Sequence, residues 1–303
     1  MHSIGCLTLL RAIQADAASL EQADKKWFKN GVMADLISLI VTTYNRPDAL
    51  AAVLRGLIRQ TDSSFEVVIA DDGSEQETAR TIEQLAKTTG LAITHAWQPD
   101  QGFRAAECRN RAILRSRGSY CIFLDGDCIP RRDFVERHRA LAEPGFFVTG
   151  NRILLSPALT DRILREHIEA ERWGIAALVR ERLSGGINRL TPALHLPLGP
   201  LRKLNDHEWE GARSCNLAVW RRDLYRVDGF DAAFSGWGLE DSDIVVRLTR
   251  AGICRKDGRF ATGVLHLWHP ESDRSGLPRN RRRLYSVIGD HRIRALQGLS
   301  VLE

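Results

Sequence analysis

Four short apolar runs, at residues 37–41, 65–70, 91–97 and 120–124, recur roughly every 25 to 30 residues. The last is apolar throughout, with β-branched and aromatic members and no polar alternation, the pattern of a strand buried on both faces. Between the first two runs, Leu50, Val53, Leu54, Leu57 and Ile58 fall at i, i+3, i+4, i+7 and i+8, and Pro47 suits a first helical turn. That gap reads as one amphipathic crossover helix, and residues 75–88 and 103–117 fill the next two gaps as helices. The rhythm predicts an α/β fold with a mostly parallel sheet and right-handed crossovers.

Open α/β sheets bind ligands at the carboxyl ends of their strands. Run 120–124 ends there in Asp125-Gly126-Asp127. Two hard oxygen donors suit a divalent cation shared with a phosphate; the competing reading is an Asp-Gly turn closing a hairpin. The first strand ends in Thr42-Thr43-Tyr44-Asn45-Arg46-Pro47 and the second in Asp71-Asp72-Gly73-Ser74, so both loops open on the same edge. Neither matches G-x-G-x-x-G or G-x-x-x-x-G-K-[ST], which argues against a dinucleotide fingerprint and a P-loop. An acid ending the second strand is placed to accept from a base N–H or a ribose hydroxyl, or simply to cap a helix. Arg104, Arg109 and Arg111 put guanidinium groups on the helix before Asp125, suited to phosphate or to a solvated basic face.

Beyond Asp127 the rhythm changes. Residues 131–142 read as helix, 146–149 as strand, 161–183 as one long helix and 184–205, rich in Gly, Pro and Leu, as a long mobile loop. A second block follows: an apolar run 217–220, a short helix, the turn Ser235-Gly236-Trp237-Gly238, a helix over 240–251 and a strand near 260–266. Glu240, Asp241 and Asp243 crowd the start of that helix, more acid than its dipole requires. A carboxylate there can serve as general base and an indole as a platform for a sugar ring. His266 and His269 follow the last strand as two imidazoles within reach of a metal or a phosphate.

The chain of 303 residues suffices for one large domain or two small ones, and a net charge of +5 suits a protein that meets phosphates or an anionic surface. The six cysteines show no metal-ligand spacing and fit free thiols in a reducing cytosol. No apolar run reaches transmembrane length and no signal peptide is expected. Residues 1–33 read as an N-terminal extension, either a loosely attached helix or sequence ahead of a true start at Met33.

The motifs T-T-Y-N-R-P, A-D-D-G-S, Q-G-F-R-A-A-E-C-R-N-R-A, F-L-D-G-D, S-C-N-L-A-V-W, G-W-G-L-E-D-S-D and H-L-W-H, in that order over about residues 36–270, resemble the inverting nucleotide-sugar glycosyltransferases of family 2. The second half is similar to the C-terminal domain of the family 7 galactosyltransferases. The resemblance implies a GT-A fold: residues 34–150 as the nucleotide-sugar-binding half, 151–278 as the acceptor-binding half of the same domain, and 279–303 as a basic C-terminal helix. It implies nucleotide contacts at Thr43, Tyr44, Arg46, Arg104, Asp125 and Asp72, with Asp71 as the competing acid. Asp125 and Asp127 match the D-x-D motif, so a Mn²⁺ or Mg²⁺ cofactor is implied at Asp127 and Asp125, with His266 or His269 as the distant ligand. Asp241 matches the base, Glu240 its paired acid, and Trp237, Gly238 and Asn216 the acceptor side. Leu239 departs from a glycine common in family 7.

The expected function is transfer of a sugar from a nucleotide-diphosphate donor, UDP first, to a glycan hydroxyl in bacterial surface polysaccharide or lipopolysaccharide synthesis. The expected partners are that donor and a glycan acceptor, free or lipid-linked, with no nucleic acid. The enzyme is expected in the cytoplasm, with Arg281, Arg282 and Arg283 available to touch the inner face of the membrane. Two rivals remain at this point, a sugar-nucleotide nucleotidyltransferase and a non-catalytic carbohydrate-binding module.

Overall fold

In a computed structural model describing residues 34–303, the apolar runs become the strands β1 (Ile37–Thr43), β2 (Phe65–Asp71), β3 (Ile93–Trp97) and β4 (Tyr120–Asp125). The expectations for residues 1–33 lie outside the described part. Helices α1 (Pro47–Ile58), α2 (Gln76–Thr89) and α3 (Ala105–Arg115) make the crossovers. All four strands run parallel, ordered β3-β2-β1-β4. β1 and β4 are buried almost along their whole length because helices cover both faces of the sheet.

The chain continues through β5 (Cys128–Pro130), α4 (Phe134–Leu141), β6 (Phe146–Thr149), β7 (Arg152–Leu154), α5 (Pro157–Glu166) and α6 (Ile175–Leu183). Then come β8 (Asn216–Trp220), α7 (Arg221–Arg226), α8 (Glu240–Arg250), β9 (Cys254–Asp257), β10 (Val264–His266) and α9 (Leu277–Asp290). β8 pairs antiparallel with β4, so the second half extends the first sheet to seven strands, β3-β2-β1-β4-β8-β6-β9. Ile40, Val68, Phe123, Leu217, Phe230 and Ile244 pack in one apolar cluster that crosses the two halves. Ala34–Glu303 forms one compact unit.

The Asp125-Gly126-Asp127 hairpin is not found. β4 pairs with β1 and β8, whereas β5 pairs with β10 in a separate sheet, β5-β10-β7. Gly126 is instead a place of close approach: its N–H donates to Thr42 O at 2.7 Å, and a Cβ there would lie 2.8 Å from the same oxygen.

The expected long helix 161–183 is two helices joined by a 3₁₀ turn, Ala170–Arg172. α5 starts earlier, with Ser156 Oγ accepting from Leu159 N and Pro157 in the first turn, and ends where His167 takes a left-handed φ of 52°. The loop 184–205 is pinned: the buried Arg202 donates to the carbonyls of Asp257, Arg259 and Leu196. The basic tail helix, expected from 279, begins at Leu277 and packs Leu284 and Val287 against Phe234 and Val246. Among the described residues no helix is long and apolar enough to cross a membrane, and Cys108, Cys121, Cys128, Cys215 and Cys254 are free thiols.

Candidate active site

A cleft of about 860 Å³ lies at the carboxyl edge of β1, β2 and β4. Its walls include Thr43, Tyr44, Arg46 and Asp72 from the first two strand ends, Asp125 and Asp127 from the third, and Trp237 and His269 from the second half. The fold thus collects side chains that the sequence scatters over more than half its length.

Asp127 stands between two imidazoles. His266 Nε2 lies 3.5 Å from its Oδ1 and His269 Nε2 lies 3.4 Å from its Oδ2. The pairing of His266 with Cys128 across β5 and β10 brings the first imidazole there. Burial pushes the pKa of His266 down to about 4, against the opposing pull of Asp127, so the ring is neutral and offers a lone pair. The Asp127, Cys128 and His266 donor atoms lie within 4.8 Å of one another, close enough for one ion to bridge. The sequence posed His266 and His269 as alternatives; both face Asp127.

The two aspartates at the end of β2 divide their work. Asp71 is wholly buried and accepts from Ser74 N and pairs with His95 Nε2, each at 2.8 Å. Burial raises its pKa, but these hydrogen bonds outweigh that and leave it lowered. Asp72 reaches the cleft, where Gln98 Nε2 and Arg104 N each donate to it at 2.6 Å, and burial still lifts it to about 6. The Arg104 guanidinium, expected near a nucleotide, donates instead to Glu107 and to Pro99 O. Its backbone N–H anchors Asp72 in its place. Thr43 Oγ1 is buried at the cleft without a hydrogen-bond partner, as a group awaiting a ligand would be.

On the opposite side, Gly236, Gly238 and Leu239 all take left-handed φ values, 77°, 96° and 77°, and wind the chain tightly into α8. Trp237 is thereby turned into the cleft and Asp241 set at the start of α8. Burial, reinforced by the Glu240 charge, raises Asp241 to about 7. Glu240 is buried and receives Arg109 Nη1 at 3.1 Å, while its other oxygen has no partner. Glu240 therefore reaches its neighbours chiefly through Arg109. Asn216, implied on the acceptor side, is wholly buried, paired with His138 Nε2 and donating to the Asn151 and Thr262 carbonyls; it braces the sheet and does not reach the cleft.

Arg109 is the residue whose role the sequence did not disclose. Its guanidinium donates to Thr42 Oγ1 at 3.1 Å, to Glu240 at 3.1 Å and to Asp125 Oδ1 at 3.4 Å, joining β1, β4 and α8. Burial works against that charge, but Glu240 and Asp125 hold it protonated. A hint was its neighbour Asn110, since a buried Arg-Asn pair on an amphipathic face needs partners: Asn110 donates to Phe230 O and accepts from Phe230 N.

The model described as Glycosyl transferase family 2 matches residues 38–225, and one described as N-terminal domain of galactosyltransferase matches residues 204–267. Validoxylamine A glucosyltransferase of Streptomyces hygroscopicus subsp. jinggangensis is 28% identical over 244 residues, 76% of this chain and 55% of the relative. Hyaluronan synthase of Pasteurella multocida is 28% identical, covering 71% of this chain and 23% of the relative, and chondroitin synthase of Escherichia coli is 25% identical, covering 73% and 33%. The chain thus spans about half or less of the length of these curated relatives. The mannosyltransferase PcManGT from Pyrobaculum calidifontis, in complex with GDP-Man and Mn²⁺, aligns over 94% of this chain and 75% of its own, with TM-score 0.55 and 18% identity. S. aureus TarS 1-349 in complex with UDP aligns over 88% and 68%, with TM-score 0.55 and 14% identity. These neighbours establish the GT-A fold.

Replacing Arg109 by Met leaves the buried Glu240 and the partly buried Asp125 without their shared cation, and is expected to cost about 3–5 kcal/mol of stability. Asp125 is already raised by burial, and protonation relieves it, so stability in the variant falls as pH rises. Urea denaturation of wild type and Arg109→Met at about pH 5.5 and pH 8 reads both effects; an equal loss at the two pH values refutes the electrostatic account.

Proposed function

The chain belongs to glycosyltransferase family 2, and from that premise we propose an inverting, metal-dependent enzyme that moves a hexosyl or N-acetylhexosaminyl group from a nucleotide-diphosphate donor, UDP first, to a glycan hydroxyl. The observation that carries this reading is Asp127 held between two imidazoles in the same cleft as Asp72 and Trp237. The donor lies against Thr43, Tyr44, Arg46 and Asp72, whose carboxylate accepts from the base or ribose. Asp125 stays tied to Arg109 and shares the anionic wall with Asp127.

The residues at Asp127 fit a divalent cation. One carboxylate and two imidazoles form a mixed oxygen and nitrogen set, which suits Mn²⁺ better than Mg²⁺, an ion that prefers oxygen alone. Asp127, His266 and His269 would hold such an ion, and it would supply Lewis-acid stabilisation of the leaving diphosphate. The chain's own acid–base chemistry rests on Asp241. Near neutral pH it is poised to accept the acceptor's hydroxyl proton as that oxygen attacks the anomeric carbon opposite the leaving group. One displacement inverts the anomeric configuration. Glu240, bound to Arg109, positions the start of α8, and the Trp237 indole offers the acceptor ring a platform.

A nucleotidyltransferase wants a basic, Gly-rich phosphate loop after β1, and the Thr43 to Arg46 turn supplies none. The polymer-synthase names of two relatives favour a bacterial surface polysaccharide or lipopolysaccharide as product. A lipid-linked acceptor agrees with α9, whose exposed side carries Arg279, Arg281 and Arg282; the last two make no ion pair among the described residues. That face suits the anionic inner leaflet, with the enzyme in the cytoplasm.

Asp241→Asn is expected to lower turnover by roughly 10²- to 10⁴-fold with donor binding preserved. In wild type the rate climbs with pH through about 7 as Asp241 loses its proton, and the climb vanishes in the variant; full turnover in Asp241→Asn rejects the base. Asp127→Ala should weaken Mn²⁺ binding more than about tenfold in an electron paramagnetic resonance titration, and unchanged binding rejects the metal site. Co-sedimentation with phosphatidylglycerol vesicles should fall at least about tenfold in Arg281→Glu/Arg282→Glu, and unaltered partitioning excludes this face as the contact.

A further inference from the structure

The indole of Trp237 is not bare. The Arg274 guanidinium carbon lies 4.8 Å from its ring centroid, carried there by the exposed segment 270–276 that leads from His269 into α9. Among the described residues Arg274 has one ion-pair partner, Glu271 at 3.2 Å, with both side chains at least half exposed, and such pairs are weak and readily exchanged. One further guanidinium group borders the same ground, and another acts on Asp241. Arg279 donates to Ser235 O and Ser235 Oγ at the base of the Trp237 turn, each at 2.8 Å. Arg213 is exposed, and its charge acts on Asp241. Against them stand Glu271, already on Arg274, Asp273, which accepts from Ser275 N and Ser275 Oγ, and, in the cleft that Trp237 lines, Asp161, Asp125 and Asp127.

From this geometry we infer that the acceptor is an anionic saccharide, its ring on Trp237 and its carboxylate or phosphate paired with Arg274. The inference rests on the glycosyltransferase reading of the cleft. A ring that takes the indole face covered by Arg274 must move the guanidinium aside and break its cation–π contact. A neutral sugar returns nothing for that loss. An anionic sugar gives the guanidinium a charge-assisted, forked hydrogen bond while leaving it beside the ring. Discrimination therefore arises as much from the penalty on the neutral ligand as from attraction to the charged one. The planar fork matters as well as the charge, which separates arginine from lysine here.

The test uses the full chain with Mn²⁺ and three probes: methyl β-glucuronide, glucose 6-phosphate and methyl β-glucoside, with affinities from saturation-transfer NMR. At least one anionic sugar should bind roughly tenfold tighter than the neutral one, and which of the two does so identifies carboxylate or phosphate as the partner. Arg274→Gln should collapse that ratio toward one and Arg274→Lys should keep only part of it. Trp237→Ala should weaken all three probes. Equal binding of neutral and anionic sugars in wild type overturns the inference, as does an undiminished ratio in Arg274→Gln. Inorganic phosphate binding as tightly as glucose 6-phosphate overturns it too, since the site would then read a free anion without the ring. Failure of wild type to bind UDP with Mn²⁺ by calorimetry is a separate outcome that strikes the donor reading itself.

Discussion

One buried guanidinium holds the two halves of the cleft in register. Arg109 leaves α3 and meets Thr42 on β1, Asp125 on β4 and Glu240 on α8. A charge with 4% of its surface exposed is costly to desolvate, and only two carboxylates in good geometry offset it. The same carboxylates begin the two motifs that face each other across the cleft. Their separation is therefore set by hydrogen-bond lengths to one rigid, planar group. Neighbouring Asn110 fixes the backbone of Phe230 on the same helix face, so α3 acts as the spine between donor and acceptor sides.

The small sheet β5-β10-β7 does comparable work for the imidazoles. β5 leaves directly after Asp127, and its antiparallel register with β10 sets His266 opposite Cys128. Leu267 N then donates to Asp127 O at 2.8 Å, and three residues after His266 the chain delivers His269 to the other carboxylate oxygen. Asp127 is bracketed because two backbones are paired, not because a loop happens to fold over it. An ion at that place would find its donors already ordered, which lowers the entropic cost of binding it.

The parallel half was legible because periodicity reports burial. A run such as 120–124 can be solvated on neither face, and Pro47 with Leu50, Val53 and Leu57 admits one helix face. Residues at strand ends inherited that clarity: Asp72, Asp125 and Asp127 line the cleft, joined by Trp237 from the turn before α8. What escaped the sequence were side chains whose partners are set by tertiary contact. Arg104 and Arg109 look alike on paper, yet one guanidinium rests on Glu107 and Pro99 O and the other is internal. Asn216 sits in a matching motif but is turned into the core, where His138 and two carbonyls occupy it. The start of α5 carries a mark, the N-cap and first-turn pair Ser156-Pro157; the left-handed His167 that ends it, and so breaks the expected helix, carries none.

Leu239 shows why the tail cannot be treated as an appendage. A leucine at φ 77° pays roughly 1–2 kcal/mol where glycine would pay little. The offset is apolar: Leu239 packs on the cluster of Phe234, Val246, Leu284 and Val287, the last two from α9. Asn280, buried on the same helix, donates to Gly238 O and Ser235 O on either side of Trp237. The turn that presents the indole and starts α8 is thus held from behind by α9. Its outer face carries exposed arginines, and its inner face braces the turn that orients Trp237 and leads into Asp241.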